Sequence, residues 1–366
     1  MTVTGQELKS TPLFNRHVEA GARMVSFSGW NMPVQYTGII EEHLHTREKV
    51  SIFDICHMGE FFLKGPGAEK ALSRLVTCRT DNMPEGKCRY GFLLNDSGGI
   101  VDDLIVFKIS PEEYMLVVNA GTVEKDFAWL TANLPPGIDF SDESDNIAKI
   151  DIQGPLSGDI ISRMAGKDVI DNLRRYWFLK INLYGIEVLL SRTGYTGELG
   201  YELFFPKEHA VSIWDKLNSF EEVMPNGLGA RDTLRLEMGY SLYGSDIDEK
   251  HTPFESNLSR FVYMDKGFIG KEALLRQEHD GFDRKLTGFI CDARRSARGH
   301  FSVMSGDKIT GEVTSGAFSP CLKRAIGLAY MDKTCVIENN GIILTDGKVR
   351  IPAKVSSIPI YKGLKQ

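Results

Sequence analysis

Two adjacent aspartates interrupt an otherwise strand-like run, Gly98-Gly99-Ile100-Val101-Asp102-Asp103-Leu104-Ile105-Val106. The Gly-Gly pair follows Asn95-Asp96-Ser97, which is a turn signal. Side chains alternate faces along a strand. Ile100, Asp102, Leu104 and Val106 therefore share one face, and Val101, Asp103, Ile105 and Phe107 share the other. Whichever face is buried carries a carboxylate between apolar neighbours. Desolvating an unpaired charge is costly, so a buried carboxylate needs a partner or a chemical role. The stretch alone leaves open a hairpin end with both acids in water.

At 366 residues the chain is long enough for two or three domains with a sizeable core. A formal net charge of −6 argues against a broad nucleic-acid or anionic-membrane footprint. No apolar run approaches the roughly 20 residues of a membrane span. The start, Met1 to Glu7, is polar and acidic, without the apolar core of a signal peptide or the Arg-rich look of a transit peptide. A cytoplasmic location is expected. The cysteines Cys56, Cys78, Cys88, Cys291, Cys321 and Cys335 form no C-x-x-C pair and no zinc-like spacing, so they read as reduced thiols and no metal is expected. His43 and His45 do not share a face of the helix expected over Glu41 to Val50. Cys56 and His57 read as strand neighbours pointing opposite ways, which disfavours a thiolate–imidazole pair.

Along the chain, helix and strand signals mix. A short helix and a strand are expected over 12–25, a strand over Ile52–His57 and a helix over Gly67–Val76. Strands over Tyr90–Leu94 and Ile100–Ile109 form a hairpin, followed by a strand over Tyr114–Asn119 and a helix over Val123–Asn133. This predicts an α+β layout with antiparallel sheets. From about residue 282 the pattern becomes short strands with turns between them: Lys285–Cys291, Phe301–Met304, Thr310–Thr314, Ala325–Met331, Ile342–Leu344 and Val349–Val355, with Asp346-Gly347 as a hairpin turn. That part reads as a small all-β barrel or jelly roll.

Three further clusters carry chemistry-bearing residues. In Arg192 to Phe204, glycines at 194, 197 and 200 suggest a tight loop that approaches something closely. Glu202 follows in a strand, where a carboxylate accepts hydrogen bonds from an amino-heterocycle; a surface Glu on a hairpin loop is the competing reading. In Gly227 to Glu237, Arg231 and Arg235 stand one helical turn apart, either facing a site or solvated. Arg294-Arg295-Ser296-Ala297-Arg298 is a basic run in an acidic chain, either a solvated loop or a hold for an anionic tail or an acidic partner.

As an ordered set, these words resemble the T-protein family of the glycine cleavage system, the tetrahydrofolate-dependent aminomethyltransferases. The resemblance runs from Pro12-Leu13-Phe14 to Tyr361-Lys362. It includes Phe27 to Tyr36 (FSGWNMPVQY), His57-Met58-Gly59, the Gly98–Val106 stretch, Val118-Asn119, the Arg192–Glu202 loop, Gly227–Glu237, Leu242-Tyr243-Gly244, Phe268 to Glu272 (FIGKE) and Val313-Thr314-Ser315-Gly316.

The resemblance implies a three-domain cloverleaf around a central folate site. Its units are a discontinuous α+β folate-binding domain (1–52 and 141–275), an α+β domain with the essential acid (53–140) and a C-terminal β-barrel (276–366). It assigns the essential acid to Asp103 and folate contacts to Tyr90, Asn119 and Met58. It assigns the pterin-gripping acid to Glu202, its companion base to Arg231, and pocket aromatics to Tyr195 and Tyr240. Arg231 is expected to hold Glu202 or the pterin carbonyl. The implied substrates are tetrahydrofolate and the aminomethyl group on the lipoyl arm of the H-protein, and the implied products are 5,10-methylenetetrahydrofolate, ammonia and dihydrolipoyl H-protein. A carboxylate at Asp103 would stabilise positive charge on the transferred carbon and shuttle a proton to the leaving amine.

There are departures. Cys56 stands where the family usually has Ser, and an exposed thiol there would add oxidation sensitivity. Asp292–Phe301 keeps Arg298 and Gly299 but otherwise matches loosely, so the family pattern assigns no role to Arg294, Arg295 or Arg298. The competing classes are folate-dependent demethylases of the same superfamily and a non-catalytic iron–sulfur assembly factor. The latter has Cys where this chain has Phe268.

Overall fold

The computed structural model describes residues 7–363. Of the N-terminal stretch read for targeting signals, all but Glu7 lies outside the described residues. A six-stranded sheet runs in the order Phe178–Leu183, Ile186–Ser191, Gly200–Pro206, Ile147–Gln153, Val50–Asp54, Val223–Pro225. Only its last pair is parallel. A five-stranded antiparallel sheet runs Cys88–Leu94, Ile100–Ser110, Glu113–Val118, Gly59–Lys64, Asp139–Asp142. A small three-stranded sheet (Lys9–Ser10, Trp30–Gln35, Arg23–Phe27) precedes both in sequence. The expected α+β class with antiparallel sheets holds.

The C-terminal part is a closed six-stranded barrel of Arg284–Cys291, Arg324–Asp332, Lys308–Ser319, Ser302–Ser305, Gly341–Thr345 and Arg350–Ser356. Every expected barrel strand is present. Asp346 Oδ1 accepts from the amides of Lys348 and Val349, and Gly347 sits at φ +89°, so the last hairpin has the turn chemistry its dipeptide promised.

Strand alternation explains how the sheets meet. Ala148, Ile150 and Ile152 enter a core with Tyr201, Leu203 and Phe205, covered by Ile160 and Ile161 of helix Ser157–Ala165 and by Ile213 and Trp214 of helix Ala210–Asn218. Lys149, Asp151 and Gln153 must then point to the opposite face, and they too are fully buried. What covers that face is the five-stranded sheet. Cys88, Phe107, Met115 and Val117 of the latter pack against Phe178, Leu189 and Phe204, with the Phe107 and Phe204 rings edge-to-face at 5.4 Å. Each buried Phe here stabilises the seam by about 1.5–3 kcal/mol. Along its strand, Phe107 leads to Asp103, and Phe204 leads to Glu202. The apolar seam thus sets two acid-bearing strand segments facing one interior.

Local chemistry shifts two expected elements. The strand expected to reach His57 ends at Asp54, because the buried Asp54 carboxylate accepts the Cys56 amide at 2.9 Å and starts a turn closed by Met58 N to Ile55 O. Cys56 and His57 are therefore turn residues. The helix expected over Glu41–Val50 spans Ile39–Glu48. Glu42 reaches back to the amides of Tyr36, Thr37 and Gly38, which pins the segment leading into the helix and satisfies the orphan donor at its N-cap. The hairpin end at 95–99 packs against another segment, where a Cβ on Gly99 would overlap the Glu249 carbonyl.

Candidate active site

Asp102 and Asp103 leave their strand on opposite faces, and their surroundings differ accordingly. Asp102 points into the core of the five-stranded sheet and is fully buried. It accepts from Asn119 N (3.2 Å), Asn119 Nδ2 (2.9 Å) and Thr122 Oγ1 (2.8 Å). Behind it lies Asp126, on helix Val123–Asn133, whose carboxyl is pushed up to about 10 by burial and by Asp102. Asp103 points to the seam face and is half-buried. It accepts from Tyr90 OH at 2.8 Å and from Asn119 Nδ2 at 2.8 Å. Asn119 thus bridges the two acids from the end of the neighbouring strand. Burial first, and the Asp102 charge second, push the Asp103 carboxyl up to about 7, against the lowering effect of Tyr90 and Asn119. Burial and Asp103 raise the Tyr90 hydroxyl in turn, so it stays a donor.

The opposite sheet supplies the second cluster. Glu202 is 7% exposed and accepts from the Thr193 hydroxyl, itself 2.6 Å from Ser191 Oγ. The competing reading of a surface Glu is thereby excluded. Arg231, near the start of helix Leu228–Met238, does not pair with Glu202 as expected. Its Nη1 donates to Asp151 Oδ2 at 2.7 Å, because Asp151 lies opposite Glu202 in register and is the more deeply buried acid. Burial pushes Asp151 up to about 7, with Arg231 opposing and Glu202 adding to the rise. The Arg231 guanidinium also lies 5.0 Å over the Tyr195 ring, and Tyr195 stacks on Tyr240 at 5.8 Å. Tyr195 OH donates to Ser241 O at 2.5 Å. Arg235, one turn on, goes elsewhere, to Asp246 at 2.6 Å and to Ser315 of the barrel at 3.0 Å.

The glycine-rich loop approaches its neighbours as its spacing suggested. A Cβ at Gly194 or Gly200 would overlap the Gln153 side chain, and one at Gly197 would overlap Met238. Gln153 accepts from Thr196 Oγ1 (2.6 Å) and donates to Thr193 O (3.2 Å), which ties the loop to the strand carrying Asp151.

Met58 is half-buried in the turn after Ile55 and packs with both the seam and the Phe53–Ala230–Leu234 cluster. Beside it His57 is 5% exposed, lies edge-on to Phe27 at 5.7 Å, and is pushed down to about 3 by burial, so it is neutral. Cys56 is buried, not exposed. Its thiol faces the Lys149 backbone at 3.2–3.3 Å, and burial raises it well above the ordinary range. The expected oxidation sensitivity is withdrawn. Asp151 was missed by sequence reasoning, although Lys149-Ile150-Asp151-Ile152-Gln153 alternates polar and apolar residues and so signalled a polar face.

Two clusters lie apart from these acids. Arg298 and Ser296 line a groove of about 1100 Å³ with Ile39, Ile40, Glu41 and Phe318, and Arg294 lies 4.6 Å over the Phe318 ring. His43, Glu237 and Cys321 bring one ligand atom each within 4.8 Å of one another, a grouping the sequence spacing did not suggest. Arg47 Nη2 already donates to Glu237 Oε2, the oxygen 3.2 Å from His43 Nε2, at 2.8 Å, supplying the positive charge there.

Comparison with known proteins matches residues 13–266 to the GCVT N-terminal domain and 284–362 to the glycine cleavage T-protein C-terminal barrel domain. An aminomethyltransferase of Halothermothrix orenii is 45% identical over 359 residues, covering 94% of this chain and 99% of the relative. One of Thermotoga sp. (strain RQ2) is 42% identical over 361 residues, covering 97% and 98%. The crystal structure of glycine cleavage system aminomethyltransferase T from Bartonella henselae superposes with a TM-score of 0.90 at 31% identity, covering 97% of this chain and 99% of that one.

Proposed function

The chain belongs to the glycine cleavage T-protein family and is an aminomethyltransferase, and from this we propose that it takes the aminomethyl group from the lipoyl arm of an H-protein and passes the methylene to tetrahydrofolate. The products are 5,10-methylenetetrahydrofolate, ammonia and dihydrolipoyl H-protein. Tetrahydrofolate supplies the two nucleophilic nitrogens. The observation that carries the reading is the pair of acids facing one interior from two sheets, Asp103 cradled by neutral donors and Glu202 with an oxygen to spare. Among the described residues the hydrogen bonds to Glu202 come from Thr193 alone, on Oε2.

The residues suit a pterin. Oε1 of Glu202 accepts from the adjacent N–H groups of the pterin edge, and Arg231 donates to its carbonyl. Tyr195 and Tyr240 form an aromatic wall, with Met58 as an adaptable apolar contact. Tyr90 and Asn119 hold Asp103 in one orientation. A carboxyl near 7 exchanges its proton in the neutral range, so Asp103, ionised at the start, stabilises positive charge on the transferred carbon, takes the proton that the attacking folate nitrogen sheds and hands it to the departing amine. The alternative of an iron–sulfur assembly factor loses support at Phe268, which is packed with Phe92, Leu94 and Ile100.

The working units we propose are a discontinuous folate-binding domain, an Asp103 domain and the barrel. Two of the divisions drawn from sequence fall inside strands Val50–Asp54 and Asp139–Asp142. They belong after Asp54 and after Asp142, since a strand moves with its sheet.

The test mixes the protein, aminomethyl-loaded lipoyl H-protein and tetrahydrofolate without oxygen, and follows ammonia and methylenetetrahydrofolate together. Stoichiometric formation of both, lost in Asp103→Asn, is expected. Folate binding with release of neither product, given a competent H-protein, overturns the reading and directs the search to methylated sulfur and amine donors.

A further inference from the structure

Asp151 and Glu202 stand directly opposite each other on adjacent antiparallel strands. Side chains so placed have Cβ atoms about 4.5–5.5 Å apart, and like charges there repel. Arg231 is the cation bonded at this pair. Lys149, two residues along the same face, is taken by Glu60 at 3.0 Å. Both Asp151 oxygens are engaged, Oδ2 by Arg231 at 2.7 Å and Oδ1 by Gln153 Nε2 at 2.5 Å. Glu202 Oε1 takes no hydrogen bond among the described residues, and Glu202 is the more accessible of the two acids. Asp151 itself is fully buried, so it acts only through what it holds.

We propose that Asp151 is a positioning residue that draws the Arg231 guanidinium off Glu202. Glu202 is thereby left as an unneutralised acceptor for paired N–H donors, with Arg231 beside it as a donor. The occupant this selects is a flat heterocycle with an amino group next to a ring N–H and a carbonyl on the same edge. Without Asp151, the guanidinium falls onto Glu202, the carboxylate directly across the strand pair from Asp151, and the acceptor is spent within the protein. The inference rests on the folate reading and adds the source of its selectivity.

The experiment measures anaerobic dissociation constants for tetrahydrofolate and for its analogue with hydrogen in place of the 2-amino group. The wild type is expected to prefer tetrahydrofolate by about 100-fold, because the analogue leaves a buried acceptor unpaired. In Asp151→Asn that preference falls about tenfold, through weaker tetrahydrofolate binding, with the analogue changed by less than about threefold. Asp151→Asn/Arg231→Gln regains the preference, since no guanidinium remains to cover Glu202. A merely structural role for Asp151 weakens both ligands alike and is not rescued by the second change; either result overturns the proposal.

A second cycle leaves Asp151 in place, and it decides the matter if Asp151→Asn does not fold. Glu202→Gln and Arg231→Gln are expected to be additive in tetrahydrofolate affinity within about twofold, because the two side chains do not pair. Strong coupling between them overturns the proposal. A wild type that binds neither ligand refutes the folate reading itself, which is a different outcome from a wild type that binds and an Asp151→Asn variant that discriminates equally well.

Discussion

At one end of the site two carboxylates follow each other along a single strand, and at the other two carboxylates face each other across two strands. The first arrangement sends Asp102 and Asp103 to opposite faces. Every donor that reaches them, from Tyr90, Asn119 and Thr122, is neutral. The second keeps Asp151 and Glu202 on one face with a guanidinium bonded to one of them. A carboxyl cradled by neutral donors and buried beside a second acid is free to exchange a proton near neutrality. A carboxylate beside a fixed cation, on a strand that follows a tight loop, is suited to recognition. We propose that the work divides accordingly, with chemistry at Asp103 and binding at Glu202.

The largest expected effect breaks or confirms that division directly. Asp103→Asn is expected to lower single-turnover aminomethyl transfer by about a thousandfold or more, with tetrahydrofolate affinity within about threefold of wild type. A parallel loss of affinity would mean that both ends bind. Glu202→Gln is expected to show the mirror image. Its tetrahydrofolate dissociation constant rises about 10- to 100-fold, while the rate at saturation changes less than about threefold, measured by titration and by rapid quench.

A smaller effect sharpens the electrostatics of the Asp103 end. Burial and the Asp102 charge both raise the Asp103 carboxyl, to about 7. Removing the Asp102 charge lowers it. In Asp102→Asn, the limb of the pH–rate profile that rises as Asp103 ionises should therefore move to lower pH, by up to about one unit. A limb that stays put or moves upward would remove Asp102 from the account. The smallest effect is at Cys56. Cys56→Ser should keep activity within about twofold, and the folded wild type should react slowly there with a thiol reagent, because the buried thiol is held in its neutral form. Mass mapping of the modified cysteines checks this.

Much of the fold was legible because its signals are local. The Asn95–Gly99 turn, the strand it feeds, the helix Val123–Asn133 and the six barrel strands are each set by periodicity and turn residues within a few positions. The three-glycine loop was legible for the same reason, although its neighbours Gln153 and Met238 were not. Periodicity placed Asp102 and Asp103 on opposite faces but had no means to choose between them; resemblance to a family singled out Asp103. The strand end at Asp54 escaped because a buried side chain there captures its neighbour's amide, which no pattern of apolar residues records.

By itself, then, the sequence determined the hairpin of Tyr90 to Ile109 with the strand and helix that follow it, the antiparallel character of the sheets, the barrel, and a strand carrying two acids on opposite faces. These follow from contacts between residues close along the chain. The tertiary structure alone decided that Asp151 confronts Glu202, that Arg231, 80 residues from Asp151, bonds to it instead of to Glu202, and that Cys56 is sealed from solvent. Charge interactions and burial depend on distance in space, and here that distance is set by the register of strands far apart in sequence and by the apolar seam that closes two sheets on each other.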